Sequence, residues 1–348
     1  MSYAIIGAGN TGQAIAGYLS LRGEEVKLYS RDARKADLIS RKGLTLKGVF
    51  SGKVHLKASA DLKEVIEEAE FIIISTTAIG HRPIFNRLKP IIKDNQTIAI
   101  FPGYWGAIEC KEILGEEFEK KRITIAETSA MPFVSKADHN GTVSINKVKK
   151  NVLIGSISYS AHTPISKKFL KTFPQLTPAR NVFETSLNNT NVIIHTPIAL
   201  FNASRIDASE EFQFYPQGAS QKTVSYIEKI DEERLRIAKI LGVETQDILT
   251  LLNEFYQTDY SSLYKALSGL FPKGSGPASL DHRYLTEDIP YGLVPISDLG
   301  KLAGVDTPYA EAIIHTASLL MGRDFRKEGV DLRGLTRADV QGLGGVIQ

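Results

Sequence analysis

Segment 187–200, LNNTNVIIHTPIAL, sets one imidazole and several carboxamides among Ile, Val and Leu. An imidazole titrates near neutrality, so it can give and take a proton during a reaction. Read as one helix at 3.6 residues per turn, the segment puts Asn188, Asn191 and His195 within roughly 60° of one another. Thr196-Pro197 then predicts a kink, or the end of one helix and the cap of the next. A core histidine bonded to neighbouring amides fits this stretch equally well. A second polar cluster, ASLDHRYLTEDIPYGLVPIS at 278–297, carries His282, Arg283, Glu287 and Asp288. Its EDIPYGLVP end argues against a regular helix there, and charges in such a loop are normally solvated. Yet His195 has no carboxylate close to it in sequence, and this cluster supplies one.

A third group of residues opens the chain. In MSYAIIGAGNTG, residues 3–6 read as a buried strand, and Gly7, Gly9 and Gly12 follow in the G-x-G-x-x-G pattern. The helical spacing of QAIAGYLSLRG comes next. Gly7 permits the tight turn, Gly9 lets the backbone approach a pyrophosphate, and Gly12 lets the helix pack on the strand. The helix N-terminus adds amide donors and a favourable dipole. With Asn10 and Thr11 inside the motif, these glycines are the candidate contacts of a dinucleotide cofactor. The second strand, EEVKLYS, should end near Ser30, where an NAD-preferring fold usually has an acidic residue. Ser30-Arg31 stands there instead, with Arg34 and Lys35 close behind. A hydroxyl and a planar guanidinium suit a 2′-phosphate, so NADP is the expected cofactor. NAD is the alternative, through Asp32 reaching back to a ribose hydroxyl.

The elements that must position these groups follow from the remaining pattern. Further strands are expected at KVHLKA, EFIIIST, QTIAIFPG and RITIAE, separated by turn-like or helix-like segments, which predicts a parallel, doubly wound sheet. Ligands in such sheets lie beyond the carboxyl ends of the strands. That places Thr76 and Thr77 as cofactor contacts or ordinary turn hydroxyls, and brings Tyr104 and Trp105 of FPGYWG under consideration. Trp105 shapes the nicotinamide side or simply packs, and His81 starts the next helix without a stated role. GTVSINKVKKNVLIGSIS reads as two more strands and SKKFLKTFPQL as a helix. From Glu184 onward the apolar spacing turns helical, with Thr307 as a cap before Pro308. The expected fold is an α/β Rossmann-like dinucleotide domain over 1–182, followed by an all-α domain over 183–348. Its junction is a short turn or a shared helix, and the His195 helix would line the cleft between the domains.

Bulk properties narrow the class. At 348 residues two domains are the default, and 43% hydrophobic with 23% charged residues is ordinary for a globular chain. A net charge of +3 is too weak and scattered for a nucleic-acid partner. The single cysteine, Cys110, excludes an internal disulfide framework and a thiolate metal site, so no metal is expected. Neither a signal peptide nor a membrane span is legible, so a soluble, cytoplasmic protein is expected, with a homodimer left open.

GAGNTGQAIAGYL, STTAIGHRPIFNRLKP, LNNTNVIIHTPIAL and RYLTEDIPYGLVPISDLGKLAGVDTP together resemble the opine dehydrogenases, the family of octopine, nopaline and carboxyethyl-norvaline dehydrogenases. The last two stretches are the more specific. The resemblance implies that His195 is the catalytic acid/base, that Asp288 pairs with it and that Arg283 holds a substrate carboxylate. Asn188 and Asn191 would orient substrate or the imidazole, with Tyr104 a further substrate contact. The implied reaction is the NAD(P)H-dependent joining of an amino acid's amine to a 2-oxo acid such as pyruvate, through an imine. Two rivals share the plan. An NADP-dependent reductase like the ketopantoate reductases relies on a lysine in its second domain, and this helix carries none. A nucleotide-sensing regulator would not need the set of His195, Arg283 and Asp288.

Overall fold

The computed structural model describes residues 1–159 and 166–342. It divides into two compact units, Met1–Thr185 and Ser186–Gln348, with the boundary inside the helix Val182–Leu187.

Among the described residues of the first unit twelve strands form two sheets. They are β1 (Ser2–Ile6), β2 (Glu25–Tyr29), β3 (Leu44–Gly48), β4 (Gly52–Val54), β5 (Lys57–Ser59) and β6 (Phe71–Ile74), then β7 (Thr97–Ile100), β8 (Thr124–Thr128), β9 (Phe133–Ala137), β10 (Thr142–Val148), β11 (Val152–Ser158) and β12 (Leu176–Pro178). The main sheet runs β12-β11-β8-β7-β6-β1-β2-β5. Its strands from β8 to β5 pair in parallel, whereas β11 meets β8 antiparallel. The central strands are apolar runs such as Phe71–Ile74, buried throughout, as strands covered on both faces must be. β1 lies between β2 and β6, so consecutive crossovers leave it in opposite directions. This is a topological switch point, and a ligand crevice opens beyond the strand ends there.

One strand expectation needs correction. KVHLKA is not one strand but two: β4 and β5 belong to different sheets, separated at His55 and Leu56. The two strands expected in GTVSINKVKKNVLIGSIS are β10 and β11, and β10 pairs with β3 and β9 in a second sheet ordered β4-β3-β10-β9. The second sheet covers the outer side of the helix Asn10–Leu21, which explains the unbroken burial from Gly12 to Leu19. Tyr18 on that helix packs against Phe50, Phe133 and Phe173, and its hydroxyl donates to the Thr172 carbonyl at 2.7 Å. A one-sided amphipathic pattern would be wrong for a helix sandwiched this way.

In the second unit every regular element among the described residues is helical. Asn191–Phe201 sits centrally, packed by Gln221–Ile240, Arg283–Thr286, Pro308–Met321 and the π-helical turn Ile289–Leu293. Its residues 192–200 are all buried. The helix runs through Pro197 to Phe201 rather than ending at Thr196-Pro197. A proline there forfeits one hydrogen bond and strains the preceding turn, about 3 kcal/mol, which packing on every side outweighs. The irregular stretch expected at 287–295 is confined to that π turn, and a regular helix, Val294–Ala303, begins directly after it. Thr307 stands at the start of Pro308–Met321 but makes no side-chain cap. Buried Glu233 does so instead, accepting from the N–H groups of Tyr309 (2.7 Å) and Ala310 (3.0 Å).

Candidate active site

The crevice of the first unit is built from backbone. Gly7 has φ +115°, and a Cβ there would lie 2.8 Å from the Ser75 carbonyl oxygen, so only glycine fits. A Cβ on Gly12 would lie 1.7 Å from the Gly7 oxygen, while one on Gly9 would meet nothing within 4 Å. The turn therefore packs helix onto strand at Gly12 and stays open at Gly9. No side chain caps the helix that follows, so its first amide donors face that opening. Ser75 Oγ and Thr76 Oγ1 at the end of β6 are buried without a hydrogen-bond partner among the described residues. Open glycine, uncapped donors and unused hydroxyls fit the phosphates and ribose of a dinucleotide. Thr77 is exposed at the start of the short turn Ala78–Gly80, and Thr11 is half-buried in the first helical turn.

Asn10 also has a structural role. Its Oδ1 accepts from the Ala137 N–H at 2.9 Å, and its carbonyl accepts from Ser135 Oγ at 3.3 Å. Both partners lie on β9, so this amide anchors the helix start to the second sheet. Gln13, which the sequence reading passed over, braces the glycine turn by donating Nε2–H to the Ala8 carbonyl at 3.0 Å. A lone amide in an otherwise apolar helical run was the available signal.

Beyond β2, Ser30 is buried and its hydroxyl accepts from the Asp32 N–H, while Arg31 is exposed. The Asp32 carboxylate accepts from the Arg34 and Lys35 N–H groups at 2.9 and 3.2 Å and caps the helix Ala33–Lys42. That engagement draws the carboxylate toward its own helix. Tyr104 and Trp105 follow β7 with φ of 50° and 65°, and both are buried in this unit, Trp105 against Phe183. Left-handed backbone at two bulky residues is strained. Wholly buried Glu127 holds the loop by accepting from the Ala107 N–H (2.9 Å) and from the Thr185 hydroxyl (2.8 Å).

In the second unit the residues meet across the chain. His195 Nδ1 lies 2.8 Å from Asp288 Oδ2, although 93 positions separate them. Asp288 has no exposed surface and His195 only 5%. A carboxylate can only accept, so Nδ1 carries the proton and Nε2 the lone pair of the neutral ring. Nε2 lies 3.0 Å from the Tyr215 hydroxyl. The Tyr284 ring covers the imidazole at 4.2 Å, with Phe214 at 6.2 Å. Burial pushes the Tyr215 phenol well above its usual range; the nearby Tyr284, Tyr256 and Asp288 add to this and Arg283 opposes it. His282 caps Arg283–Thr286 through Nδ1, which accepts from the Tyr284 N–H. Burial, then the charges of Arg283 and His195, lower its pKa, against Asp288.

Arg283 is exposed, its guanidinium 3.7 Å from the buried Glu287 carboxylate. Asn191 opens the central helix one turn before His195, and its backbone N–H donates to the Asn189 side chain. Asn188 does not share their helical face. It lies in the break between Val182–Leu187 and Asn191–Phe201, buried, and donates Nδ2–H to the Glu244 carbonyl at 3.1 Å. Arg234 fixes the same break by donating to the Leu187 carbonyl at 2.8 Å. Tyr215 and Tyr284 were not anticipated, because an aromatic in a turn or a short helix carries no sign of which ring it will cover. Among the described residues no group of three His, Cys, Asp or Glu is placed to hold a metal ion, and no helix is long and apolar enough to cross a membrane.

A glycine-turn dinucleotide fold joined to a helical unit bearing a buried His–Asp pair defines an NAD(P)-dependent oxidoreductase. Residues 178–321 match the family model described as "NAD/NADP octopine/nopaline dehydrogenase, alpha-helical domain", and residues 3–158 match "Ketopantoate reductase PanE/ApbA". The chain is 32% identical to an opine dehydrogenase of Arthrobacter sp. (strain 1C), over 98% of both chains. It is 25% identical to the protein ocs of Agrobacterium tumefaciens (strain Ach5), covering 97% of this chain and 95% of that one. Among solved structures it is similar to octopine dehydrogenase in complex with NADH and agmatine, with TM-score 0.79 and 21% identity over 99% and 96% of the two chains. NADP+-bound yersinopine dehydrogenase gives TM-score 0.75 at 14% identity over 98% and 97%. The chain belongs to the opine dehydrogenase family, whose members are NAD(P)-dependent oxidoreductases acting on CH–NH bonds. The ketopantoate reductase match lies within the first unit and concerns the dinucleotide fold alone.

Proposed function

We propose that this protein reductively joins the amine of an amino acid to a 2-oxo acid such as pyruvate, with His195 as acid/base and Asp288 as its positioning partner. The observation that carries this reading is the 2.8 Å contact between His195 and a wholly buried Asp288. A carboxylate on Nδ1 holds the ring in one tautomer and stabilises its protonated form. The bound nicotinamide supplies hydride, and Gly7, Gly9, Gly12, Ser75, Thr76 and Thr77 would hold the dinucleotide. Imine formation expels the oxo acid's oxygen as water, and that oxygen needs a proton from an acid that titrates near neutrality. Arg283 is exposed, and its planar guanidinium suits two-pronged binding of the substrate's carboxylate. Asn191 and Tyr104 are assigned to substrate orientation, and Asn188 to holding the turn ahead of the histidine helix. NADPH is preferred over NADH, because Arg31 is exposed beside Ser30 while Asp32 is committed to its cap.

NADPH oxidation is followed with pyruvate alone and with pyruvate plus each of twenty amino acids. The opine reading expects turnover only with an added amino acid, and His195→Ala or Asp288→Asn lowering it by at least about 10²-fold with NADPH affinity retained. Turnover with an oxo acid alone would sink the reading, as would full activity in His195→Ala.

A further inference from the structure

Both ring nitrogens of His195 are engaged, Nδ1 by Asp288 at 2.8 Å and Nε2 by the Tyr215 hydroxyl at 3.0 Å. Each imidazole nitrogen has one in-plane direction, holding either a proton or a lone pair. While the phenol stays, nothing else can hydrogen-bond to Nε2. The phenol oxygen differs, since it donates one hydrogen bond and accepts others at the same time.

Tyr215 is also firmly held. Its ring packs on Phe271 at 4.6 Å and 30°, and edge-on against Phe214 at 5.1 Å. The turn that bears it is laced to segment 274–276: the Phe214 N–H donates to the Gly274 carbonyl, and the Gly276 N–H to the Phe212 carbonyl. Gly274 lies against the ring, with a Cβ there 3.3 Å from Tyr215 Cδ2. Yet the residue is not sealed in, for Tyr215, Phe271 and Tyr284 all keep part of their surface exposed. A fixed phenol, partly exposed and bonded to the one available nitrogen of the acid/base, stands where a proton must pass.

We infer that Tyr215 relays the proton between His195 and the reacting oxygen of the substrate. This rests on the reading of His195 as the acid/base. In the forward direction the amine has added to the oxo acid, giving a carbinolamine. The Tyr215 O–H proton moves to the carbinolamine hydroxyl as the phenol oxygen takes the Nε2 proton of the imidazolium. The C–O bond breaks, water leaves, and the nitrogen lone pair forms the C=N bond of the iminium. Imidazolium becomes imidazole, the phenol ends as it began, and no oxidant or reductant is needed before hydride addition. The burial that raises the phenol's pKa keeps it a donor throughout.

The test uses Tyr215→Phe in the full chain, which keeps the ring stack and removes only the hydroxyl. NADPH, pyruvate and a mixture of the twenty standard amino acids are the probes, with single-turnover rates measured in H2O/D2O mixtures. The relay predicts a rate at least about 10²-fold lower, with the NADPH dissociation constant within about twofold of the parent. It also predicts a bowed dependence on deuterium fraction in the parent, from two protons in flight, and a linear one in the variant. A variant rate within about threefold of the parent, with His195→Ala inactive, would show that the substrate displaces the phenol; the relay then fails and the acid/base reading stands. An active His195→Ala would instead remove the reading beneath it. Should Tyr215→Phe lose NADPH binding through misfolding, the parent's dependence decides: bowed supports the relay, linear overturns it.

Discussion

His81 offers a test of how well the first unit excludes water. Its ring has no exposed surface and neither nitrogen has a hydrogen-bond partner among the described residues. It packs on Phe85 at 5.6 Å, and a Cβ on Gly106 would come within 2.9 Å of its Nδ1. Burial alone pushes its pKa down from 6.5 to about 3. The folded state therefore refuses a proton that the unfolded chain accepts below 6.5. Stability from this group is complete above that pH and is lost as pH falls toward the folded value. Integrating the proton uptake gives about 2 kcal/mol lost between pH 7 and pH 5, and about 4 kcal/mol by pH 3. The first figure barely depends on the folded value, provided it lies a unit or more below 5. Trp105, the only tryptophan, is buried in the same unit, so its fluorescence during urea unfolding reports the right transition. Other groups titrate over this range, so the comparison is with His81→Leu, which keeps an apolar volume and cannot titrate. The parent should lose about 2 kcal/mol more than the variant on going from pH 7 to pH 5. Equal losses would refute the argument, because they would mean that the ring protonates without unfolding.

Three further outcomes are expected. Arg31→Ala should weaken NADPH by at least about tenfold and NADH by less than about threefold, measured by fluorescence titration; equal effects would remove the 2′-phosphate role. Gly12→Ala places a methyl 1.7 Å from the Gly7 oxygen, so NADPH should no longer bind, and a variant that binds normally would show that the turn yields. Glu233→Ala leaves the N–H groups of Tyr309 and buried Ala310, at the start of Pro308–Met321, without their acceptor. It should cost about 1–3 kcal/mol in denaturant unfolding followed by near-ultraviolet circular dichroism, and an unchanged midpoint would mean that Thr307 takes over the cap.

Local chemistry made much of the fold legible. The Tyr3–Ile6 strand, the glycine turn and the helix behind it are dictated by neighbours in sequence: Gly7 and Gly12 answer to close approaches that only glycine can make. The long helices Gln221–Ile240 and Pro308–Met321 likewise follow from apolar spacing. The second sheet was not legible, because β3 and β9 are short, half-exposed segments and the pairing that unites the sheet, β3 with β10, joins strands far apart in the chain. KVHLKA misled for a related reason, since an alternating run does not show that its two halves turn to different sheets. The bonds of Asn10 to β9 were not legible either, because they join positions more than 120 residues apart.

At the candidate site the division is the same. Residue types and motif resemblance singled out His195, Asp288 and Arg283, since few side chains can carry protons or hold a carboxylate. Asn188 was misplaced because the pattern could not show the break at 188–190, which Arg234 on a distant helix and Glu244 in the loop after it stabilise. Tyr215, Tyr284 and the capping Glu233 emerged only from packing. Sequence by itself determined which groups have the chemistry and where helices and strands are favoured, because those are properties of a residue and its near neighbours. Only the tertiary structure decided which of those groups meet, which rings cover them and which polar atoms are already spent, because contacts between distant segments are set by the burial of the whole unit.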